Sequence, residues 1–423
     1  MGTSNRKINL YLASPIIYPP RGGAELRFWR YLPGLRKRGI KVTVVTGTPK
    51  AKKITDEDHS QPWYQYCPGE LIPTDSVEGI TVHQVRLPDH TGWRRTIIFN
   101  QALLKFCFHS GQNPDIVQFL TPLPPRSIPW LMWLRILGIA RVFSYTLPSD
   151  LPVEFLQRSV YKWSLKRLYR HLDCLVASSE VTRDIISGLV PERRFEVIPN
   201  GVDLERYRPG TIIERRQLRE SMGLKNDDQV ITTVCAVHPR KGVDLLLESW
   251  GSLTLKYPRA HLFIVGPRHD QVDPNLSSFS RKLKFLVDAS GAGDRIHFTG
   301  SVKNVEEYLR ISDAFAFASR KEGMGNVVLE AMASSLPVIL TPFTGLPKAF
   351  GLPDSHYILV NRGAEELAAG ISSLLDDDNL RHKLGQNARR LVEETMGMEQ
   401  ILDRYAVLYH ELAYQSRMCR WHL

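Results

Sequence analysis

The sequence has few cysteines, and none of them stands in a metal-binding or disulfide pattern. The five are Cys67, Cys107, Cys174, Cys235 and Cys419, which lie far apart, are odd in number and form no C-x-x-C pair. This spacing supports neither a zinc site nor a disulfide framework. We therefore expect the protein to reside in a reducing compartment.

Long apolar segments are also missing. The chain starts MGTSNRKINLYLAS, without the apolar stretch of a signal peptide. Its most apolar region, residues 128–140, is interrupted by Arg135 and falls short of the ~20 residues that a membrane-spanning helix needs. The sequence therefore predicts a cytoplasmic protein, or one docked on a membrane from the cytoplasmic side.

Several motifs that would define other protein classes are absent. No nucleic-acid-binding motif accompanies the 55 Lys and Arg, which exceed the 44 Asp and Glu to give a formal net charge of +11. The excess favours another anionic partner, such as a nucleotide phosphate or an acidic membrane surface. No G-x-G-x-x-G follows Gly22 and Gly23, which argues against a nicotinamide enzyme. No D-x-D pair lies at a strand end beside a plausible donor pocket. The acidic residues 376–378 lie between helical segments and are typical of a solvated turn, so no metal site is predicted.

The chain has 423 residues, a length that exceeds what one hydrophobic core usually supports. Of these residues 43% are apolar and 23% are charged, as in ordinary globular proteins. Strands alternate with helix-like segments, and this implies parallel sheets covered by helices on both faces. The predicted strands comprise residues 8–12, 42–45, 81–85, 116–119, 142–145, 174–177, 230–234, 262–265, 296–298, 314–318 and 338–340. Dense turn residues around 199–210 divide the pattern. We predict domains over residues 1–204 and 205–398, followed by a helix over 399–423.

The most specific motif is SRKEGMGNVVLEAMASSLPVI, which begins at Ser319. Glycines at a strand-to-helix turn let the backbone approach a ligand, and the N–H groups at the helix start form an anion site. Glu330, one to two turns into the helix, can accept hydrogen bonds from the hydroxyls of a ribose, and Glu322 is placed for a second group such as a hexose. The alternative, a capped helix with solvated glutamates, leaves the glycines unexplained. The predicted donor contacts are Gly323, Met324, Gly325, Asn326, Val327 and Glu330.

Two further loops are candidates for phosphate binding. HPRKG, residues 238–242, occupies the first strand-to-helix loop of the second half, where parallel sheets bind ligands. Arg240 and Lys241 would face the donor phosphates, although two solvated cations are the alternative, and His238 is interpreted as a hydrogen-bonded spacer. In PPRGGAE, Gly22 and Gly23 open a helix and would admit an acceptor or a phosphate, or only form a tight turn.

Together these motifs resemble the family-4 retaining glycosyltransferases of the GT-B fold along nearly the whole chain. The matching segments are GGAE, the later RG at residues 38–39, VIPNGVDLERYRP, RKGVDLLLE and EGMGNVVLEAMA with its two glutamates eight positions apart. The resemblance implies an α/β protein of two Rossmann-like domains that face each other across a cleft, with the last helix returning to the first domain. It also implies transfer of a sugar from a nucleotide donor with retained configuration and without a metal or a cofactor.

The resemblance also assigns roles to individual residues. Those matching Arg240 and Lys241 bind the donor diphosphate, and those matching Glu322 and Glu330 hold the hexose and the ribose. The segment FTGSV, with Gly300 and Val302, resembles the loop that contacts the base. We expect Glu322, Lys241 and Arg240 to be catalytic and a UDP-sugar to be favoured over a GDP- or ADP-sugar.

The sequence departs from the family pattern mainly on the acceptor side. Ala236 replaces a frequent arginine, and Leu120 and Leu147 stand where many members carry a histidine. A Leu- and Pro-rich segment, TPLPP at residues 121–125, suits an apolar or lipid-linked acceptor, with sugars and small molecules remaining open. The alternatives are a GT-B sugar-nucleotide epimerase and an inactive scaffold. The Glu322 and Glu330 pair argues against inactivity.

One segment predicts contact with an anionic membrane. VEFLQRSVYKWSLKRLYRHL, residues 153–172, has basic residues at positions 158, 162, 166 and 170, which places four charges along one helix face. A basic amphipathic helix with aromatic residues suits a membrane interface. The alternative is a surface helix whose apolar side packs on the sheet.

Overall fold

The computed structural model describes residues 7–15, 23–48, 71–72, 80–88, 93–109, 113–121, 123–145, 159–188, 190, 193–343 and 346–420. The chain forms two compact units, one of Met1–Pro199 with Glu399–Leu423 and one of Asn200–Met398. The division lies slightly before residue 204, where the turn residues suggested it. Among the helices of the described ranges, none is long and apolar enough to cross a bilayer.

The first unit is built on an eight-stranded sheet of order β3-β4-β2-β1-β5-β6-β7-β8. Its neighbouring strands are parallel except for β3, which runs antiparallel to β4. The central strands read as continuous apolar runs because parallel sheets are buried on both faces. The strands are β1 (Ile8–Ser14), β2 (Ile40–Gly47), β3 (Leu71–Ile72), β4 (Thr81–Val85), β5 (Ile116–Phe119), β6 (Ala140–Tyr145), β7 (Cys174–Ala177) and β8 (Phe195–Val197).

Helices of the first unit cover its sheet, and four of them contribute buried side chains to one apolar core. The helices are α1 (Gly23–Lys37), α2 (Trp93–His109), α3 (Ile128–Ile136), α4 (Ser159–Tyr169) and α5 (Glu180–Ser187). Buried side chains of α2, α3 and α4, such as Phe99, Leu131 and Leu165, pack in a single cluster with those of the sheet. These three helices therefore lie along the same face of the sheet.

The last helix of the chain lies in the first unit. It spans Met398–Arg420, and we number it α14 in chain order. Its Tyr405 packs against Phe28 and Tyr31 of α1, with ring centroids 6.2 and 5.8 Å away. Its Tyr409 hydroxyl donates to the buried amide oxygen of Gln118 in β5. Helix α14 thus completes the core of a unit whose other elements all precede residue 200.

The second unit is built on a six-stranded parallel sheet of order β11-β10-β9-β12-β13-β14. Its strands are β9 (Gln229–Val234), β10 (Ala260–Val265), β11 (Ile296–Gly300), β12 (Ala314–Phe317), β13 (Val338–Leu340) and β14 (Ile358–Leu359). Its helices are α6 (Ile212–Ser221), α7 (Val243–Leu253), α8 (His269–Val272), α9 (Ser277–Ala289), α10 (Val305–Ile311), α11 (Asn326–Ala333), α12 (Ala364–Asp376) and α13 (Asp378–Thr395). Two apolar clusters contain the buried side chains of this sheet and its helices.

The predicted fold class is confirmed, because each unit is a parallel sheet covered by helices. The predicted strands all form, whereas the short strands β3, β8 and β14 were not predicted. The sequence pattern predicts a helix over residues 243–257, but α7 ends earlier, at Leu253. Strand β9 lies between β10 and β12, so the strand order reverses there, which is where open parallel sheets bind ligands.

Candidate functional site

The loops that follow β9 and β12 meet at the carboxyl edge of the second sheet. The loop after β9 contains a 3-10 turn, Pro239–Lys241. The carbonyl oxygen of Arg240 in this turn accepts a hydrogen bond from the Arg320 N–H at 2.9 Å, and the Ser319 hydroxyl oxygen lies 3.3 Å from it. The two sequence motifs, which lie about 80 residues apart in the chain, therefore form one site, as their positions at the carboxyl ends of two strands suggest.

Gly242 makes this close approach possible. Its φ is +70°, in the left-handed region that glycine adopts readily, and it caps the start of α7. A Cβ atom built on it would lie 2.1 Å from the carbonyl oxygen of Ala318, at the end of β12. The glycine of the RKG motif therefore serves the packing of one loop against the other.

Lys241, Glu322 and Ser319 form the polar centre of the site. Lys241 Nζ donates to Glu322 Oε1 at 2.6 Å, and the Ser319 hydroxyl donates to the same oxygen at 2.6 Å. The Lys241 and Glu322 side chains are only 18% and 11% exposed. The structure thus brings together two of the three predicted catalytic residues. Arg240, the third, lies in the same turn with its side chain exposed.

The start of helix α11 adjoins this centre. Gly325 precedes the helix with a φ of +76°. The first N–H groups of a helix have no intrahelical acceptor, so those of α11 are available at this end. The Met324 side chain is buried in the core and accepts a hydrogen bond from the Asn200 N–H at 3.1 Å. Met324 can therefore contribute only its backbone to a ligand. Asn200 also donates to the Asn326 side chain.

Glu330 is buried on the second turn of α11, among neighbouring charges. Arg206 forms an ion pair with Glu306, in which its Nε and Nη2 both donate to Glu306 Oε2, at 3.0 and 2.9 Å. Burial alone would lower the pKa of Arg206, but the hydrogen bond with Glu306 and the charge of Glu330 leave that pKa raised. The positive charge of Arg206 thus acts on the Glu330 carboxylate.

The other predicted contacts lie on neighbouring loops. Gly300 ends β11 with a φ of +70°, and its carbonyl oxygen accepts from the Gly266 N–H at 3.0 Å. Val302 is half-buried two residues later. His238 is confirmed as a hydrogen-bonded spacer, since its Nδ1 accepts from the Arg240 N–H at 3.2 Å. Burial, followed by the charge of Arg240, lowers the pKa of His238, which keeps the ring neutral and able to accept.

The acceptor-side predictions are only partly covered by the structure. Gly22 and Leu147 lie outside the described residues, as does residue 122 of the TPLPP segment. Gly23 is the first residue of α1. Leu120 follows β5, is half-buried, and donates its N–H to the Ala13 carbonyl at 3.2 Å. The roles of these residues remain predictions.

Arg362 is a site residue that the sequence analysis missed. Its guanidinium donates to the carbonyl oxygens of Ala318 at 2.8 Å, Ser319 at 2.7 Å and Pro342 at 2.6 Å. Burial, followed by the charge of Arg320, lowers its pKa. Arg362 thus fastens the loop that carries Glu322 to the end of β13. A lone arginine in a loop carries no signal of such a role, because its acceptors are backbone atoms about 20 to 45 residues away in the chain.

We expect Arg362→Met to raise the KM for the donor substrate about tenfold, with a smaller change in kcat, because the Glu322 loop loses three charge-assisted hydrogen bonds. Arg389→Met is the matched control. Arg389 also donates to carbonyl oxygens of this unit, those of Tyr207 and Ala333, but at the far end of α11. Steady-state kinetics and thermal melts of both variants make the comparison. Equal effects of the two variants on KM would show that Arg362 acts only on stability.

Comparison with known proteins identifies the family of the chain. The family model described as glycosyl transferases group 1 matches residues 214–391, and that of glycosyltransferase family 4 matches residues 21–206. A GDP-mannose-dependent monoacylated alpha-(1-6)-phosphatidylinositol monomannoside mannosyltransferase from Corynebacterium glutamicum is 28% identical over 62% of this chain and 68% of its own. Sucrose-phosphate synthase from Thermosynechococcus elongatus superposes with a TM-score of 0.73 at 21% identity, covering 96% of this chain and 99% of its own. HepE from Anabaena, in complex with UDP and glucose, superposes with a TM-score of 0.70 at 18% identity, covering 96% and 100%.

Proposed function

Because the chain belongs to the group 1 and family 4 glycosyltransferases and has their GT-B fold, we propose that it transfers a sugar from a nucleotide donor to an acceptor with retention of the anomeric configuration. The observation that carries the proposal is the cluster of Lys241, Glu322 and Ser319 beside the start of α11. The donor binds to the second unit, and the acceptor is a sugar, a lipid-linked sugar or a small molecule.

The positions of the charges support a binding mode for the donor. Lys241 has three N–H donors, so it can hold Glu322 and a phosphate oxygen at the same time. The exposed Arg240 side chain and the first N–H groups of α11 provide further positive charge for a diphosphate. Glu330, buried on that helix, accepts from the ribose hydroxyls, and Glu322 accepts from a hexose hydroxyl. Gly300 and Val302 adjoin the base.

The same charges account for a reaction without a general base from the protein. As the bond between the anomeric carbon and the diphosphate breaks, negative charge grows on the leaving phosphate, and Lys241 with the α11 N–H groups stabilises it. The acceptor hydroxyl attacks on the face from which the phosphate leaves, and a phosphate oxygen takes its proton. The reaction therefore does not require a histidine at the position of Leu120. Lys241 and the α11 N–H groups also take the role of a divalent metal, which would otherwise neutralise the charge on the leaving diphosphate.

The donor is the least constrained part of the proposal. We favour a UDP-sugar, which is supported by the UDP and glucose complex of the structurally similar HepE. The relative from C. glutamicum depends on GDP-mannose, so the two comparisons differ in the base. A metal-independent enzyme and a cytoplasmic location complete the proposal.

We expect slow release of free nucleotide when the protein is incubated, in the presence of EDTA, with the UDP-, GDP- and ADP-forms of glucose and mannose in turn. One nucleotide should also raise the melting temperature, because a ligand that binds the folded state stabilises it by mass action. Glu330→Ala should lose that shift. An epimerised donor would identify an epimerase instead, and the absence of any nucleotide binding would identify an inactive scaffold. Activity that EDTA abolishes and Mg²⁺ or Mn²⁺ restores would refute the metal-independent mechanism.

A further inference from the structure

Three helices of the first unit present one outward surface, to which their own residues contribute no negative charge. The acidic residues Glu180 and Asp184 belong to α5, which shares their apolar cluster. Helices α2, α3 and α4 contain seven Lys and Arg residues and no Asp or Glu. Their buried sides pack into the same apolar cluster over one face of the sheet. Their opposite sides therefore point away from the sheet together, and we call this surface the α2–α4 face.

Large apolar side chains project from the α2–α4 face. On α3, Met132, Trp133 and Ile136 are 48%, 50% and 62% exposed, while Leu131 and Leu134 are buried. The exposed residues thus occupy the side of α3 opposite its core side, which follows from the helical repeat of 3.6 residues. Phe108 at the end of α2 is 48% exposed and meets the Trp133 ring edge-on at 6.4 Å.

Helix α4 extends the same face with an aromatic ring and cations. Leu165 and Leu168 are buried, so the apolar side of this helix packs on the core, as the alternative interpretation of the sequence held. Trp163 is 61% exposed, and the Arg167 guanidinium lies 5.5 Å from its ring centre. The turn Pro125–Ser127 that leads into α3 contacts α4.

Positive charge links α3 and α4. Burial lowers the pKa of His171, just after α4, and the charges of Arg141, Arg135 and Arg167 lower it further. Arg135 belongs to α3 and Arg167 to α4, so both cations lie close enough to act on one imidazole. The exposed apolar side chains therefore have cations beside them on two helices.

We propose that the α2–α4 face docks on an anionic lipid bilayer, with the exposed side chains of α3 and α2 inserted at headgroup level. Tryptophan beside arginine and lysine is the composition of helices that lie in a membrane interface. Helices α2, α3 and α4, which contain no carboxylate, add no repulsion of their own against lipid phosphates. The crevice between α2 and α3 is about 10 Å³, lined by residues such as Leu104 and Trp130. It has room for about one water, so no ligand-sized groove separates α2 from α3 on this face.

The test is sedimentation of the full chain with vesicles of phosphatidylcholine alone or mixed equally with phosphatidylglycerol. We expect binding to the acidic vesicles that weakens as salt is raised. Trp133→Ser/Ile136→Ser should reduce binding about tenfold or more, through lost insertion. Arg135→Gln/Lys162→Gln/Arg167→Gln should reduce it roughly a hundredfold. No nucleotide sugar is needed, so this result is independent of the proposed transferase activity.

Ile212→Ser/Ile213→Ser is the matched control, since these two isoleucines of α6 in the second unit are 80% and 68% exposed. It should bind as the wild type does. Absence of binding to acidic vesicles at low salt would overturn the proposal, as would binding that both variants of the face retain. Loss in the charge variant alone would overturn insertion and indicate simple adsorption. If the apolar variant melts earlier than the wild type, the charge variant decides the question by itself.

Discussion

Lys241→Met should lower kcat/KM at least about a hundredfold, because the variant loses the cation that stabilises the departing phosphate. It should also lower the melting temperature, since the largely buried Glu322 carboxylate keeps the Ser319 hydroxyl but loses its ion-pair partner. Leaving such a charge unpaired costs about 1–3 kcal/mol. Steady-state kinetics and thermal melts measure the two effects separately.

A double variant separates catalysis from stability at this pair. Lys241→Met/Glu322→Gln removes both charges, so its melting temperature should return toward that of the wild type while its activity stays low. Lys256→Met is the control, because Lys256 Nζ bonds Asp376 at 2.7 Å in the same unit but on the exposed surface; both of its values should stay near wild type. Recovery of activity together with stability in the double variant would mean that the pair serves only to hold the loops.

Gly242→Ala should weaken donor binding more than tenfold and destabilise the second unit. The new Cβ would meet the Ala318 carbonyl oxygen at 2.1 Å, so one of the two loops must move. The left-handed φ of +70° adds about 1–2 kcal/mol for a residue with a Cβ. Gly223→Ala is destabilised only by its left-handed φ of +74°, because no atom lies within 4 Å of the position of the new Cβ.

The comparison of the two alanine variants isolates the contact between the loops. Thermal melts should show a small decrease for Gly223→Ala and a larger one for Gly242→Ala. Donor affinity, measured by the nucleotide-induced shift in melting temperature, should fall only in the latter. Equal losses of stability with unchanged affinity would mean that the turn and the Glu322 loop are not coupled in binding.

The donor site could be predicted because its residues are local in sequence. Glu322 and Glu330 stand on either side of a glycine turn that joins a buried strand to a helix, and Lys241 stands in the corresponding turn after β9. The positions of these turns follow from strand and helix periodicity, and parallel strands bring their carboxyl ends to one edge. The sequence did not predict that Lys241 and Glu322 bond directly.

What could not be predicted depends on contacts between distant segments. Arg362 acts through backbone oxygens far away in the chain, and no local pattern marks it. Arg206 stands in the segment VIPNGVDLERYRP, but nothing in that segment indicates its pairing with Glu306. The contact between Gly242 and Ala318 is of the same kind, because a glycine in a loop is also compatible with a simple turn. These residues are found only once both loops have been placed in space.

The α2–α4 face, proposed above to bind a membrane, shows a different limit of the sequence. In the sequence, residues 128–140 are only an apolar segment too short to span a membrane. The basic residues of segment 153–172 are the feature that predicts membrane contact. In the structure, exposure divides α3 into a buried side with Leu131 and Leu134 and an outward side with Trp133 and Ile136. An apolar run that is hydrophobic all round carries no periodic signal, so only the fold reveals which half remains exposed.

The place of α14 in the first unit has a consequence for synthesis on the ribosome. The second unit is continuous in the chain, so it can fold as soon as it has emerged, whereas the first unit must wait for a helix that begins at Met398. At the usual elongation rate the delay is about 10–40 s. During this delay Gln118, in the central strand β5, lacks the Tyr409 hydroxyl that later donates to it. Phe28 and Tyr31 of α1 also lack the Tyr405 ring that later packs against them. The first half of the protein, although it is made first, therefore completes its core last.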